Sequence, residues 1–418
     1  MRPNSTPRTV LRTENTTLAL LMGGYVVDYI DRVMIAIALP LIGKEFGLTR
    51  TEQGLVVSAF AIAYMLVQFP AGVLADRIGS RPLLVVSLAA WSVFTAATGL
   101  APGLLVLLLL RVLFGVSQAL FPAASFKALT ERTTPRTRSR GAGLMIASNS
   151  LGAGLGPLIA APLVVMTGWR HTFWIVAAAG LAIGLVLWKL MPPPLPRELT
   201  EADTHADTLA AAPVTHVLRN GLVLRCAVMF ACFNMLDYGM ITWVPSYLVE
   251  TKGMSMVEAG ISSAIPLLVT AAAVVLGGQL MSRGLDADPR RLVVPALLLS
   301  ASLLVAMLLT NSTTAFTVLQ SLAMFAAGLA SIGIIGMPLR ALSRDVVGSG
   351  MGAVNTGGQL AGVLAPLIMG WLADRSGFAA AFGFLALATV VAASISLTTR
   401  PNPTTEKTAS LHPSSQTS

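Results

Sequence analysis

Charge is what this 418-residue chain has least of: Asp, Glu, Lys and Arg make up 11% of it, against about 25% in an ordinary soluble domain. Such a chain cannot cover a globular surface in water. Its two cysteines, Cys226 and Cys232, lie in one apolar segment at a spacing that turns them apart on a helix, which excludes a disulfide between them. The four histidines, His171, His205, His216 and His412, fall outside the apolar runs or at their ends and lack metal-ligand spacing. No metal site is expected. A phosphate-binding G-x-x-x-x-G-K-[ST] is missing too, so energy for any work should come from a gradient rather than from ATP bound in that loop. Nothing in the sequence calls for a cofactor or points to an enzyme.

Apolar residues fill the space instead: 55% of the chain is hydrophobic and the mean hydropathy is +0.75. A helical bilayer crossing takes about 20 apolar residues, and polar breaks leave room for about twelve. The expected fold is therefore an all-α polytopic membrane protein of the cell (inner or plasma) membrane, with twelve transmembrane helices in two six-helix bundles.

Residues 1–16 read as a polar cytoplasmic tail, and the first span is too long and too charged for a cleaved signal peptide. Further spans read as 54–74, 83–100, 104–125, 142–166 and 172–191, then 223–247, 258–281, 292–310, 316–338, 350–371 and 378–397. The bundles are thus expected at 17–191 and 223–397, joined by a Pro-rich polar linker at 192–222 and followed by a cytoplasmic tail at 398–418. Of the 28 Lys and Arg, only Lys44, Arg50, Arg170, Lys252 and Arg375 fall on the outer side in this arrangement. That bias places both termini in the cytoplasm. It also accounts for the net charge of +9 without a nucleic-acid partner.

The halves echo each other at an offset of 206 residues: Asp31 with Asp237, Gly72 with Gly278, Arg77 with Arg283, Asn149 with Asn355. Two parallel repeats of six helices would leave such a trace. Repeated small pairs, Gly152 with Gly156 and Gly358 with Gly362, are spaced for close helix contact.

One stretch, GGYVVDYIDRVMIAIALP from Gly23 to Pro40, organises the rest. At about 100° per residue, Asp28, Asp31 and Arg32 share one arc, which Tyr25 extends, while Val26, Ile30, Val33 and Ile37 face the other way. A charge at membrane depth costs about 2.5–3.5 kcal/mol on insertion scales, so this arc should look into the protein or a wet cavity. Arg111, preceded by LLVLLLL, is a second buried charge, with Gln118, Pro122 and Ser125 two to four turns along. A guanidinium fork holds a carboxylate bidentately. The alternative is structural: the arginines neutralise Asp28 and Asp31.

Ala71 to Arg81, AGVLADRIGSR, resembles the signature loop of the major facilitator superfamily. A degenerate copy, GGQLMSRGLDADPRR, follows in the second half. Gly72, Asp76, Arg77, Gly79 and Arg81 are expected to form a conformational gate that touches no substrate.

Within that superfamily, YIDRVMIAIALP, Tyr64, RVLFGVSQA and YGMITWVPSYL resemble the anion:cation symporters, which move organic anions, often sugar acids, with protons. The resemblance implies that Arg32 and Arg111 bind a substrate carboxylate, that Tyr64 hydrogen-bonds in the site and that Asp31 takes the coupling proton. Asp28 is its partner or substitute. Ionised Asp31 competes for the arginines, so protonation and anion binding favour each other. Two positions depart from the family: Gln118 stands where sugar-acid members carry a glutamate, and Asn149 where a glutamine is usual.

From the second half, Tyr238, Trp243, Asn355 and Gln359 are candidate contacts for the far end of the substrate, the last two alternatively interhelical hydrogen bonds. Asp237 is a candidate for substrate contact or proton coupling, or else pairs with backbone or caps a broken turn. The expected partners are a small organic anion, a proton and the bilayer, and the protein should be a monomer.

A competing reading is a proton-coupled drug or metabolite exporter. Gly143, Gly152, Gly156 and Pro157 follow a glycine-proline motif typical of drug:proton antiporters, although Ala160 and Ala161 replace its closing glycines. Phe114 stands where such exporters place a glutamine, and paired arginines would repel cationic drugs.

Overall fold

The computed structural model describes residues 7–200, 220–282, 288–341 and 347–399, and their regular structure is entirely helical. In chain order the helices are α1 (Pro7–Phe46), α2 (Arg50–Ile78), α3 (Ser80–Thr98), α4 (Leu104–Arg132), α5 (Pro135–Leu190) and a single turn, α6 (Arg197–Thr200). Then come α7 (Gly221–Glu250), α8 (Met256–Ser282), α9 (Arg290–Leu309), α10 (Thr313–Ala341) and α11 (Val347–Thr398). Nine of the described helices are long and apolar enough to cross a membrane. Helix α1, at 40 residues, has the length but not the uniform apolarity, because Asp28, Asp31 and Arg32 interrupt it.

Two of these helices are bent pairs. α5 breaks at Gly168 (φ 79°, ψ 159°) and α11 at Gly377 (φ 79°, ψ 172°), a backbone region open to glycine and costly for a residue with a Cβ. The breaks fall between the spans expected at 142–166 and 172–191, and at 350–371 and 378–397. The start of α1 departs from the sequence reading. The helix begins at Pro7, well before the apolar run, because its polar turns have a docking partner. Glu14 is buried, and its Oε1 accepts the Thr134 backbone N–H at 2.8 Å and the hydroxyls of Thr134 and Thr137 at 3.0 and 2.6 Å. A carboxylate there satisfies the N–H of the residue that caps α5 and suits the positive end of that helix.

The helices pack as two groups with the same internal pairing. In the first, α1 lies on α5, α2 and α3 on α4, and α3 on α5; in the second, α7 lies on α11, α8 and α9 on α10, and α9 on α11. Close approach in the equivalent α1/α5 and α7/α11 pairs uses the repeated glycines. A Cβ on Gly152 would meet the Val26 carbonyl oxygen at 2.7 Å, and one on Gly358 the Phe230 ring at 2.6 Å. Between the groups, α2 meets α11, α5 meets α8 and α1 meets α7.

At the end bearing Arg50, the groups are locked together. Asp374 of α11 accepts the backbone N–H of Arg50 (2.9 Å) and Thr51 (2.8 Å) and the Thr51 hydroxyl (2.5 Å). Arg50 also pairs with Glu250 of α7 at 3.3 Å and covers the Phe378 ring. Just below, the backbones touch: a Cβ on Gly54 would lie 2.4 Å from the Pro366 carbonyl oxygen, and one on Gly370 2.4 Å from that of Arg50.

The opposite end carries the signature loop. Gly79 turns the chain from α2 to α3 with φ 94°, Asp76 pairs with Lys127 of α4 at 3.1 Å, and Arg81 donates to the Trp188 carbonyl of α5. Beside them Glu131 accepts from Ser80 (2.5 Å) and from Arg132 (2.7 Å), while Arg132 also donates to the Pro192 carbonyl. Gly72 is partly buried and Arg77 exposed. Arg283, in the second copy of the motif, lies outside the described residues.

Candidate functional site

The charged arc of α1 faces the interior. Asp28 and Asp31 are each 1% exposed, as is Arg111 of α4, so the helix buries what it cannot show to lipid. Arg32 is held by several neighbours at once. Its Nε donates to Gln118 Oε1 at 3.1 Å and its Nη2 meets Asp28 Oδ2 at 3.5 Å. Its guanidinium lies over the rings of Tyr29, Phe60 and Tyr64 at 4.6–5.2 Å. Stacking of a desolvated guanidinium is worth about 2 kcal/mol per favourable ring, enough to fix the fork while leaving donors free.

Arg111 is the less satisfied of the two. Its Nη2 reaches Thr98 Oγ1 at 3.4 Å, rings of Phe114 and Phe173 flank it, and its Nε is buried without a hydrogen-bond partner among the described residues. Asp31 accepts the Thr95 hydroxyl at 2.6 Å on Oδ2, and its Oδ1 is likewise unpartnered. Asp31 and Arg111 are both buried, and no ion pair within 4.0 Å joins them. The first group therefore holds two carboxylates and two guanidinium groups whose hydrogen-bonding capacity is only partly used.

Between the groups lies a cavity enclosing about 760 Å³ of space, part of it open to solvent. Arg32, Arg111, Tyr29 and Phe60 line it from the first group, and Asn234, Asp237, Tyr238 and Thr242 from the second. The α1/α7 crossing thus brings Arg32 and Tyr238 to the same cavity, and these two residues are themselves 206 positions apart.

Of the residues picked out from the sequence, the structure brings Arg32, Arg111, Asp237 and Tyr238 to this cavity. Tyr64 is buried beneath the Arg32 guanidinium, and Gln118 is spent on the Arg32 Nε and the Asp28 carbonyl, to which its Nε2 donates at 3.2 Å. Gln359 Oε1 accepts the Tyr238 hydroxyl at 3.5 Å. Trp243 is buried, its Nε1 donating to the Pro366 carbonyl at 3.1 Å, and it ties α7 to α11. Asn149 Oδ1 is buried and unpartnered among the described residues, whereas Asn355 is exposed.

Tyr29, Thr95 and Asn234 escaped the sequence reading. Tyr29 precedes Arg32 by three positions and so had to share its face. Asn234 is the counterpart of Asp28 at the same 206-residue offset. Thr95 carries no signal of its own in an apolar span.

A bundle of apolar helices around a buried, charged, partly open cavity defines a membrane transporter. The chain belongs to the Major Facilitator Superfamily, whose model matches residues 21–287 and 285–416. It is a multi-pass transporter of the cell membrane, not an enzyme. Relatives include a Cupriavidus necator protein named "Probable sulfoacetate transporter", 31% identical over 384 residues, covering 88% of this chain and 89% of that protein. The hexuronate transporter of Bacillus subtilis is 29% identical over 378 residues, 87% of this chain and 89% of the relative. The D-galactonate transporter of Escherichia coli is 29% identical over 409 residues, 91% and 94% of the two chains. Among solved structures, a bacterial homologue of the human lysosomal transporter Spinster, inward-facing and unoccupied, superposes with a TM-score of 0.84 at 20% identity, covering 92% of this chain and 96% of that one.

Proposed function

We propose that this protein takes up a small organic anion together with a proton, by alternating access about the cavity between α1, α4, α7 and α11. The observation that carries the reading is the pair of arginines: Arg32 and Arg111 both line one cavity, and both keep donors that no protein acceptor uses fully. A carboxylate is the ligand such forks suit. The three relatives, named for a sulfonated acid, hexuronate and galactonate, support an acid as cargo.

Asp31 is the coupling residue in this reading, with Asp28 bound to Arg32 as its partner. Proton and substrate then help each other, since protonating Asp31 frees the field of Arg111 for an anion. Counting the limbs of α5 and α11 separately gives twelve spans. We assign 17–191 and 223–397 to the two bundles, 192–222 to the linker, and the Gly79 end, both termini included, to the cytoplasm. The Arg50 end then faces outward and is closed, so the protein is described in a state shut to the outside. Asp76, Arg77, Arg81, the helical Gly72 and the turn glycine Gly79 gate the cytoplasmic side within a monomer.

Thermal unfolding of the purified protein with a panel of acids tests the reading. A ligand present at about 100 times its Kd stabilises by about 2.7 kcal/mol. Sugar acids or short carboxylates should raise Tm, and Arg111→Ala should abolish the rise. A rise with cationic drugs alone would favour the exporter.

A further inference from the structure

Asp237 is the one carboxylate in the cavity lining, and it is set up differently from its counterpart Asp31. Asp31 accepts the Thr95 hydroxyl, and its half of the molecule also buries Arg111. At the positions 206 residues on stand Ala301, which has no donor, and Thr317, whose hydroxyl donates to the Thr313 carbonyl of its own helix. Arg32 becomes Tyr238. The second half has kept the acid and lost each of the groups that support it.

Helix α7 runs unbroken through position 237, so no open turn there needs a cap. No hydrogen bond or ion pair to Asp237 is made among the described residues, although it lines the cavity. A charge left so at membrane depth calls for a partner. The buried charges of the first group cancel, Asp28 and Asp31 against Arg32 and Arg111, and Asp237 adds one negative charge with nothing to match it. A proton on Asp31 leaves one positive charge in the first group, which a carboxylate matches. A positive charge elsewhere on the same ligand then matches Asp237.

We propose that the cavity is built for a dipolar acid, whose carboxylate sits at Arg32 and Arg111 and whose protonated amine sits at Asp237. The inference rests on the organic-acid reading above and narrows it to ω-amino acids and other acids whose amine lies at the end remote from the carboxylate.

The test compares matched pairs of radiolabelled acids of three to five carbons, ω-amino against ω-hydroxy, in uptake by proteoliposomes of the full chain. For at least one length the amino member should be taken up tenfold or more faster than its hydroxy partner. Asp237→Asn should collapse or invert that ratio, and Asp237→Glu should preserve its direction. Equal uptake within every pair by the natural protein overturns the proposal whatever the variants do. So does a ratio unchanged in Asp237→Asn, including the case where that variant alters only the number of protons moved per substrate. If sugar acids enter in an Arg111-dependent way and neither member of any pair does, the dipolar ligand is wrong while the organic-acid reading stands. If no carboxylate enters at all, both fall.

Discussion

At the scale of single residues, the account turns on how Arg32 and Arg111 are held. Arg32 rests on three aromatic rings and a glutamine, so it is positioned before any ligand arrives. Preorganisation of this kind spares the ligand the cost of ordering a long side chain. Arg111→Lys keeps the charge and removes the planar fork, and should lower substrate affinity at least tenfold, about 1.4 kcal/mol. Isothermal titration with the substrate checks it. Asp31→Asn should leave substrate exchange between two compartments measurable but end accumulation driven by a proton gradient, because the exchanged acid needs no net proton movement. Counterflow and gradient-driven uptake, measured side by side, separate the two. The residue scale is also where sequence reading reached furthest and stopped soonest. Charges in an apolar helix stand out, so Asp28, Asp31, Arg32 and Arg111 were legible. Gln118, Trp243 and Tyr64 were legible as polar or aromatic residues in spans, but whether they face the cavity or tie helices together depends on rotations of helices about one another. Trp243 bonds to the Pro366 carbonyl, a contact far away in the chain that no local pattern encodes.

Between helices, the closed Arg50 end is the element that a transport cycle must open. Asp374 accepts three hydrogen bonds from the start of α2, and bonds to a charged acceptor contribute about 1.5–3 kcal/mol each when buried, less at a wet surface such as this. Asp374→Ala should therefore shift the population toward the outward-open form by tenfold or more. Gly54→Leu should do the same by another route, since its side chain would collide with the Pro366 carbonyl and hold α2 off α11. Labelling of a single cysteine placed at Val57, which lines the cavity behind this end, by an impermeant reagent added outside reads both; faster labelling in each variant is the expected result. The helix boundaries were mostly readable from apolar periodicity, and the bends at Gly168 and Gly377 lie where the apolar runs lapse. The polar start of α1 was not, because its helicity comes from the docking of Glu14 onto α5. Tertiary contact overrode local composition there.

For the molecule as a whole, duplication explains more than any motif. The same helix pairings recur in both groups, and the 206-residue echo visible in the sequence is their imprint. The halves share their helix pairings but differ in charge: the first carries the two arginines that line the cavity, and the second answers with Asp237, Tyr238 and Asn234 across it. In the proposed cycle the first half binds and neutralises the acid while the second closes over it. Since neither half alone encloses the cavity, a single polypeptide should be the working unit, and stepwise photobleaching of a fluorescent fusion in liposomes should show one step per particle.

The measurement that bears most directly on the central claim is proton flow into proteoliposomes loaded with a pH-sensitive dye, challenged in turn with organic acids and with cationic drugs. The account predicts acidification of the lumen on adding an acid, absent in Arg111→Ala and in Asp31→Asn. Lumenal pH changes triggered only by cationic compounds and indifferent to Arg111 would contradict it.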